Sequence, residues 1–359
     1  MSFALTDEQL ELRRTSGKVF GDAERKNPLP PSWDAVPSRL DRDLWSSLGE
    51  LGLLGIGVAE ELGGSGGGAR ELCVLAEQVG AALPSIPFAG SAVVAAMLAA
   101  QPEDSPARKV LGDVVAGSRV ATAAWGTFPA VIAAGRGNGD LRQSASQVEG
   151  TVSAVPFGLD ADLLVTFDDN EAMLIDLSSA GVRRAAAAAV LDLTEPLAAV
   201  ELTGVTAVPL GPCAVDDLLR TVFAAELVGT GQRALDGAVD YAGQRHQFGR
   251  AIGSFQSIKH MLADRYVQLD AARMLVQRAA AALDDGLPET ESAARTALAA
   301  ACDAAEAAAG DALQVHGGIG FTWEHPSHVY LKRARARRSL LGSSARQLDA
   351  IADHVLNTH

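Results

Sequence analysis

From Asp216 onward the chain offers one helix after another with no strand between them, and this limits its fold more than any other feature. Helix-compatible stretches run over 216–246, 255–283 and 291–313, separated by loops at Gly249–Gly253 and Asp284–Pro288. Alanine is dense over 293–309, which favours helix and lets helices pack closely. Long helices joined by short loops make an antiparallel bundle.

The part before Asp216 divides in two. Residues 1 to about 115 also read as helices. Leu5, Leu10 and Leu12 open an amphipathic segment, with Thr6 placed to N-cap it and Gln9 at the capping-box position. A second helix covers Leu44–Leu51 and a third Leu72–Leu83, with Pro84 and Pro87 marking its exit. Between them lies the glycine-dense loop Gly63–Gly68, which reads as a flexible turn; no Lys-Ser/Thr follows it as in a P-loop. Between about 118 and 212 the period changes. Leu163–Phe167, Ala172–Asp176 and Ala198–Leu202 are short, apolar or alternating, and bounded by turn residues, so they predict strands in a small β domain. The order is α–β–α, without the βαβ alternation of a Rossmann fold.

Charge and cysteine usage narrow the function. With 44 acidic and 30 basic side chains the net charge is −14, which excludes a general polyanion binder such as a DNA-binding protein. Cys73, Cys213 and Cys302 are far apart and support neither a disulfide framework nor a zinc ribbon. His325 and His328 flank Pro326 and make a poor metal pair, so no metal is expected. Met1–Glu8 lacks signal-peptide character, and no uncharged apolar run reaches roughly 18 residues. The expectation is a cytoplasmic protein without membrane insertion.

Three stretches together resemble the acyl-CoA dehydrogenase family. Leu51–Val58 with Glu61–Gly66 is similar to an N-terminal "GLLGi…EelGGxG" passage. Tyr241–Gly249, continuing through Ile252, Phe255-Gln256, His260 and Leu262–Asp264, resembles "YaxxRxqFGxxIxxfQxxxhxlAD". Gln314–Thr322 resembles "QxhGGxGft". The matches follow family order and spacing over most of the chain. Taken singly, Arg245 would read as a surface salt-bridge residue and Gly317-Gly318 as a plain turn.

The resemblance implies an α+β multidomain fold: an N-terminal α-helical domain over 1–116, a small middle β-barrel domain over 117–212, and a C-terminal four-helix-bundle domain over 213–359. It implies an FAD-dependent enzyme carrying out α,β-dehydrogenation of an acyl-CoA, in fatty acid or sterol side-chain metabolism, with electron-transfer flavoprotein as acceptor. Arg245, Gln247, Phe248 and Gln256 would reach the cofactor from one subunit. Gln314, Gly317 and Gly318 would wrap the adenosine pyrophosphate of a cofactor held mainly by a neighbour. An arginine offers a planar fork for pyrophosphate, and glycine lets backbone N–H groups come close. Such a site requires an oligomer, usually a tetramer.

The same resemblance exposes losses. The dehydrogenation needs a carboxylate near the α-carbon, and the family places it at one of two positions, occupied here by Leu219 and Gly342. Arg220 matches an arginine near the substrate. Glu226, seven residues past Leu219, shares its helix face roughly 10 Å along the axis and is the nearest candidate base. Asp216 and Asp217 read as helix-start residues. The entry to the middle domain, Val120–Thr127, lacks the family's Thr-Glu-Pro loop; Thr194-Glu195-Pro196 arrives about seventy residues late. Lys332–Arg338 reads as a solvated basic face or a phosphate contact, and Cys302 as core. Two readings stand: one subunit of a heteromeric enzyme whose paralogous partner supplies the base, or a self-sufficient homo-oligomer with a displaced base. A non-redox binding protein on the same fold is a third, and a flavin monooxygenase is a conceivable relative.

Overall fold

In a computed structural model, the structure describes residues 4–29, 39–124, 139–144, 147–168, 171–187, 190–211, 215–341 and 343–357. Cys213, Gly342 and the stretch Trp125–Thr127 lie outside these.

The first helix, α1 (Asp7–Lys26), starts where the capping box places it. The Gln9 N–H donates to Thr6 Oγ1 at 3.2 Å and the Thr6 N–H to Gln9 Oε1 at 3.0 Å. Helices α2 (Arg42–Glu50) and α3 (Ala69–Ala82) follow, then α4 (Phe88–Ala99) and two short ones, α5 (Pro106–Lys109) and α6 (Leu111–Val115). Helix α4 was hidden in the sequence because it is apolar on all sides, and Pro87 proves to be its N-cap as well as the exit from α3.

The glycine-dense loop is pinned rather than flexible. Ser65 N–H donates to Gly55 O, Gly64 N–H to Ala59 O and Gly66 N–H to Val58 O, all within 3.1 Å. A Cβ at Gly64 would stand 2.1 Å from Val58 O. The Gly63, Gly64, Ser65 and Gly66 N–H groups are therefore spent on the loop's own carbonyls and those beside it rather than held ready for a phosphate.

Among the described residues seven strands form the middle layer: β1 (Ala121–Ala123), β2 (Gly139–Ser144), β3 (Gln147–Pro156), β4 (Leu163–Asp168), β5 (Glu171–Asp176), β6 (Val182–Ala186) and β7 (Leu197–Leu210). They run in the order β1-β4-β5-β7-β3-β2, with β6 on the other edge of β7. Among the described strands β1 and β4 pair in parallel and the others antiparallel. The long β7 pairs through residues 197–206 with β3 and through 207–210 with β5, so the sheet curls around it. Gly204, at φ +61°, marks the bend.

The C-terminal bundle comprises α7 (Asp216–Gln244), α8 (Gln256–Asp284), α9 (Thr290–His316), α10 (Ser327–Leu341) and α11 (Ser344–Asn357). A two-stranded hairpin, β8 (His246–Gln247) and β9 (Arg250–Ala251), joins α7 to α8. Helix α9 buries Ala294, Ala297, Ala301, Ala305, Ala308 and Ala312 in a row three and four residues apart. Such a stripe brings the neighbouring backbones close. Cys302 is core, as its setting in this helix suggested, and burial pushes its thiol up to about 12.

One contact ties the bundle to the N-terminal helices. Asp284, the last residue of α8, accepts from the Ala69 N–H at 2.6 Å and the Arg70 N–H at 3.2 Å, so it caps α3 from 215 residues away. The residue before α3 is Gly68, which has no side chain to cap with, and a Cβ there would lie 2.3 Å from Asp284 Oδ1. Asp284→Ala is expected to cost about 1–2 kcal/mol in urea unfolding, and Asp284→Asn less, because its single amide oxygen still accepts the shorter Ala69 N–H bond while the Arg70 N–H loses its acceptor.

Candidate functional site

The end of the bundle that carries the family-like motifs is open. Helix α7 stops at Gln244, with Arg245 as its C-cap donating its N–H to Tyr241 O at 2.8 Å. Among the described residues Arg245 has no ion-pair partner, and its side chain is exposed. The hairpin that follows turns at Phe248 and Gly249, both at positive φ, and leaves Phe248 91% exposed, edge-on to Phe255 at 6.2 Å. Gln247 and Gln256 are exposed beside it.

Helix α9 ends at His316, and the chain leaves it through Gly317 at φ +63°. Gln314 and Gly318 are exposed. At Gly317 and Gly318 a Cβ would meet nothing within 4 Å. The positive φ accounts for glycine at Gly317. Neither φ nor packing demands it at Gly318, which leaves backbone accessible to an incoming group. The Gly317 N–H is already given to Gln314 O, so what fits the phosphate end of a dinucleotide is the exposed Arg245 guanidinium and the uncrowded backbone at Gly318.

Where the three layers meet, the described residues leave little room at one point, while a larger cavity of about 550 Å³ lies nearby between Phe20, Leu40, Leu83 and Thr194. Between Phe88, Gly90, Thr122, Pro156, Glu195 and Arg337 only about 10 Å³ of space is left. Arg337, on α10, fills this junction. Its Nε donates to Glu226 Oε2 at 2.9 Å, its Nη1 to Glu195 Oε1 at 2.9 Å, and its guanidinium lies 4.4 Å above the Phe223 ring. One turn earlier Arg333 pairs with Asp192 and donates to Thr194 Oγ1 at 2.6 Å. The late Thr-Glu-Pro turn is thus an anchor for α10.

This geometry gives Glu226 a role other than the general base its helix position suggested. The residue is 1% exposed, and its carboxylate is occupied by Arg337. Burial pushes its proton affinity above the ordinary carboxylate range, and the shared Arg337 pulls it back. Leu219 is fully buried, with no carboxylate to offer. Arg220 is held by Asp217 and, at 3.9 Å, by Asp216, so its charge is spent within its own helix start rather than on a substrate.

The basic run Lys332–Arg338 is also not the uniform solvated face it suggested. Arg333 and Arg337 point inward, while Arg335 and Arg338 pair with Glu306 outside at 3.0 and 2.8 Å. Lys332 stacks on Trp323 at 4.0 Å. The 333/337 spacing of one helical turn was the only available signal, and four arginines in six positions obscured it.

The comparisons with known proteins agree with the motifs. The profile described as "Acyl-CoA dehydrogenase, N-terminal domain" matches residues 6–118, and "Acyl-CoA dehydrogenase, C-terminal domain" matches 217–356. The chain is 35% identical to acyl-CoA dehydrogenase FadE34 of Mycobacterium tuberculosis over 86% of its own length, but spans only 41% of that longer protein. It is 33% identical to acyl-CoA dehydrogenase IpdE2 of the same organism, over 88% of this chain and 87% of the other. Among solved structures, the Tcur3481-Tcur3483 steroid ACAD superposes with a TM-score of 0.86 at 28% identity, covering 98% of both chains. The ChsE4-ChsE5 complex from Mycobacterium tuberculosis does so with 0.83 at 26%, covering 99% of both. The chain belongs to the acyl-CoA dehydrogenase family, oxidoreductases that act on acyl-CoA with FAD as cofactor.

Proposed function

We propose that this chain is one subunit of a heteromeric FAD-dependent acyl-CoA dehydrogenase, with a paralogous partner supplying the catalytic base. The observation that carries this reading is the contrast between the two places just described. At the junction Arg337 is held by Glu226 and Glu195, with Leu219 at one of the two base positions, whereas the Arg245 and Gly317 face is open. Loss of a free carboxylate together with retention of the edge is what a subunit needs if it completes a neighbour's site.

On this reading Arg245 holds the pyrophosphate of FAD, Gln247, Phe248 and Gln256 flank it, and Gln314, Gly317 and Gly318 close over the adenosine side. FAD, when bound, takes the hydride from the β-carbon of the acyl thioester. Phe248, Phe321 and, on the helices, Val239, Tyr266 and Val267 are exposed apolar side chains, and their burial against partner subunits would build a tetramer. The paired names of the Tcur3481-Tcur3483 steroid ACAD and the ChsE4-ChsE5 complex support the heteromeric form, and the first also supports an acyl group on a steroid-like skeleton. Electron-transfer flavoprotein is the proposed acceptor and the cytoplasm the proposed compartment. No helix among the described residues is long and apolar enough to cross a membrane.

The test is the visible spectrum of the chain purified alone, recorded anaerobically while acyl-CoAs are added. We expect a colourless protein that turns yellow only when co-produced with a paralogous subunit carrying an intact Thr-Glu-Pro loop. A homo-oligomer that is yellow by itself and bleaches with acyl-CoA would overturn the reading in favour of a self-sufficient enzyme.

A further inference from the structure

Behind the open face lies a row of rings that the function above does not use. Tyr241, one turn before Arg245, stacks on His316 with centroids 4.6 Å apart. His316, the residue before Gly317, stacks in turn on His325 at 4.1 Å. We infer that Tyr241, His316 and His325 are positioning residues, a stacked column that fixes the 245–249 hairpin turn relative to the 314–318 segment so that both meet one FAD.

The protons in this column follow from the acceptors around it. His316 Nδ1 lies 2.7 Å from Ala312 O, and a carbonyl only accepts, so Nδ1 carries the proton. Ser327 Oγ stands 2.5 Å from His325 Nδ1 and 3.3 Å from His316 Nδ1. With the His316 Nδ1 proton given to Ala312 O, that nitrogen cannot accept, so the Ser327 hydroxyl donates to His325, whose Nδ1 also accepts from the Ser327 N–H at 3.3 Å. His325 is therefore neutral and protonated at Nε2. Burial and the neighbouring His316 hold it below the ordinary imidazole range. The Tyr241 ring continues the row on the far side of His316.

The column joins segments that are otherwise far apart in sequence. Tyr241 lies in the last turn of α7 and its carbonyl accepts the Arg245 N–H, while His316 ends α9 and hands the chain to Gly317. His316 is only 4% exposed, so the row is fixed by the bundle rather than by solvent contacts. His325, the outermost ring, lies in the loop before α10 and can be changed without opening the core.

The test uses His325→Ala and its ring-keeping counterpart His325→Phe in the full chain, alone and in the assembled enzyme. An aromatic pair contributes enough to predict roughly a three- to tenfold change. In the alanine variant, hydrogen–deuterium exchange should rise by that factor in peptides covering 245–251 and 314–321. FAD should bind the assembled enzyme correspondingly more weakly, while the melting temperature stays near that of the parent. His325→Phe should restore both. Faster exchange confined to 323–328, unchanged FAD affinity, or failure of the phenylalanine to rescue would each overturn the inference. So would a uniform rise in exchange with a lowered melting temperature. The exchange readout needs neither FAD nor a partner, so it stands apart from the heteromeric reading.

Discussion

Arg337→Met is expected to destabilise the protein by about 3–5 kcal/mol, because it strands Glu226 as an unpaired carboxylate in a sealed site. Glu195 is partly accessible and can turn to water; Glu226 cannot. The loss should depend on pH with a definite sign. Burial already raises the Glu226 proton affinity, and Arg337 is the chief group opposing that rise. Without it the folded protein keeps the proton while the unfolded chain gives it up at the ordinary carboxylate value. Stability then falls as pH climbs above that value, so the variant should be firmer at about pH 5 than at about pH 8. Urea titrations at the two pH values decide this.

The paired change Arg337→Met with Glu226→Leu removes both buried charges and should recover most of the loss, since an apolar pair of similar size often replaces a buried ion pair at little cost. The double variant also separates the two roles of Glu226. If it retains the turnover of the assembled enzyme, Glu226 is structural; loss of turnover in a stable double variant would restore it as a base.

Gly229→Ala should be as damaging by a different route. Helices α3 and α7 touch at two glycines. A Cβ on Gly229 would lie 1.9 Å from Glu77 O, and one on Gly80 would lie 1.9 Å from Glu226 O. Thr230 Oγ1 donates across this contact to Gly80 O at 3.0 Å. Side-chain overpacking costs about 1–3 kcal/mol. Here the obstacle is backbone on both sides and cannot rotate away, so a cost of at least about 3 kcal/mol is expected, seen as a collapse of the soluble yield or of the melting temperature. Gly237 on the same helix gives the control. A Cβ there meets nothing within 4 Å, and Gly237→Ala should stabilise by up to about 1 kcal/mol through helix propensity.

These contacts also bear on function. The crossing that presses α3 onto α7 sets the backbone of Glu226, and Glu226 in turn holds Arg337 in the junction. The place of Arg337 at the junction is therefore set by glycine packing as much as by charge.

The sequence alone was enough for the helix start at Thr6, the long helices of the bundle, the strands β4, β5 and β7, and the family, because each is written in neighbouring residues. A capping box spans four positions, an apolar period shows within two turns, and the 241–264 and 314–322 motifs are contiguous. Strands β1, β2, β3 and β6 and helix α4 were not legible. Their alternation is weak or their apolar character continuous, and pairing partners decided them. The tertiary structure alone decided which arginines of α10 turn inward, what Glu226 binds, and which residue caps α3. The partners lie 111, 142 and 215 residues apart in the chain. A local pattern records which face of a helix is apolar, but it carries no record of which distant charge meets it once the layers close. Burial then makes that meeting compulsory, because a charge removed from water must find its partner inside the fold.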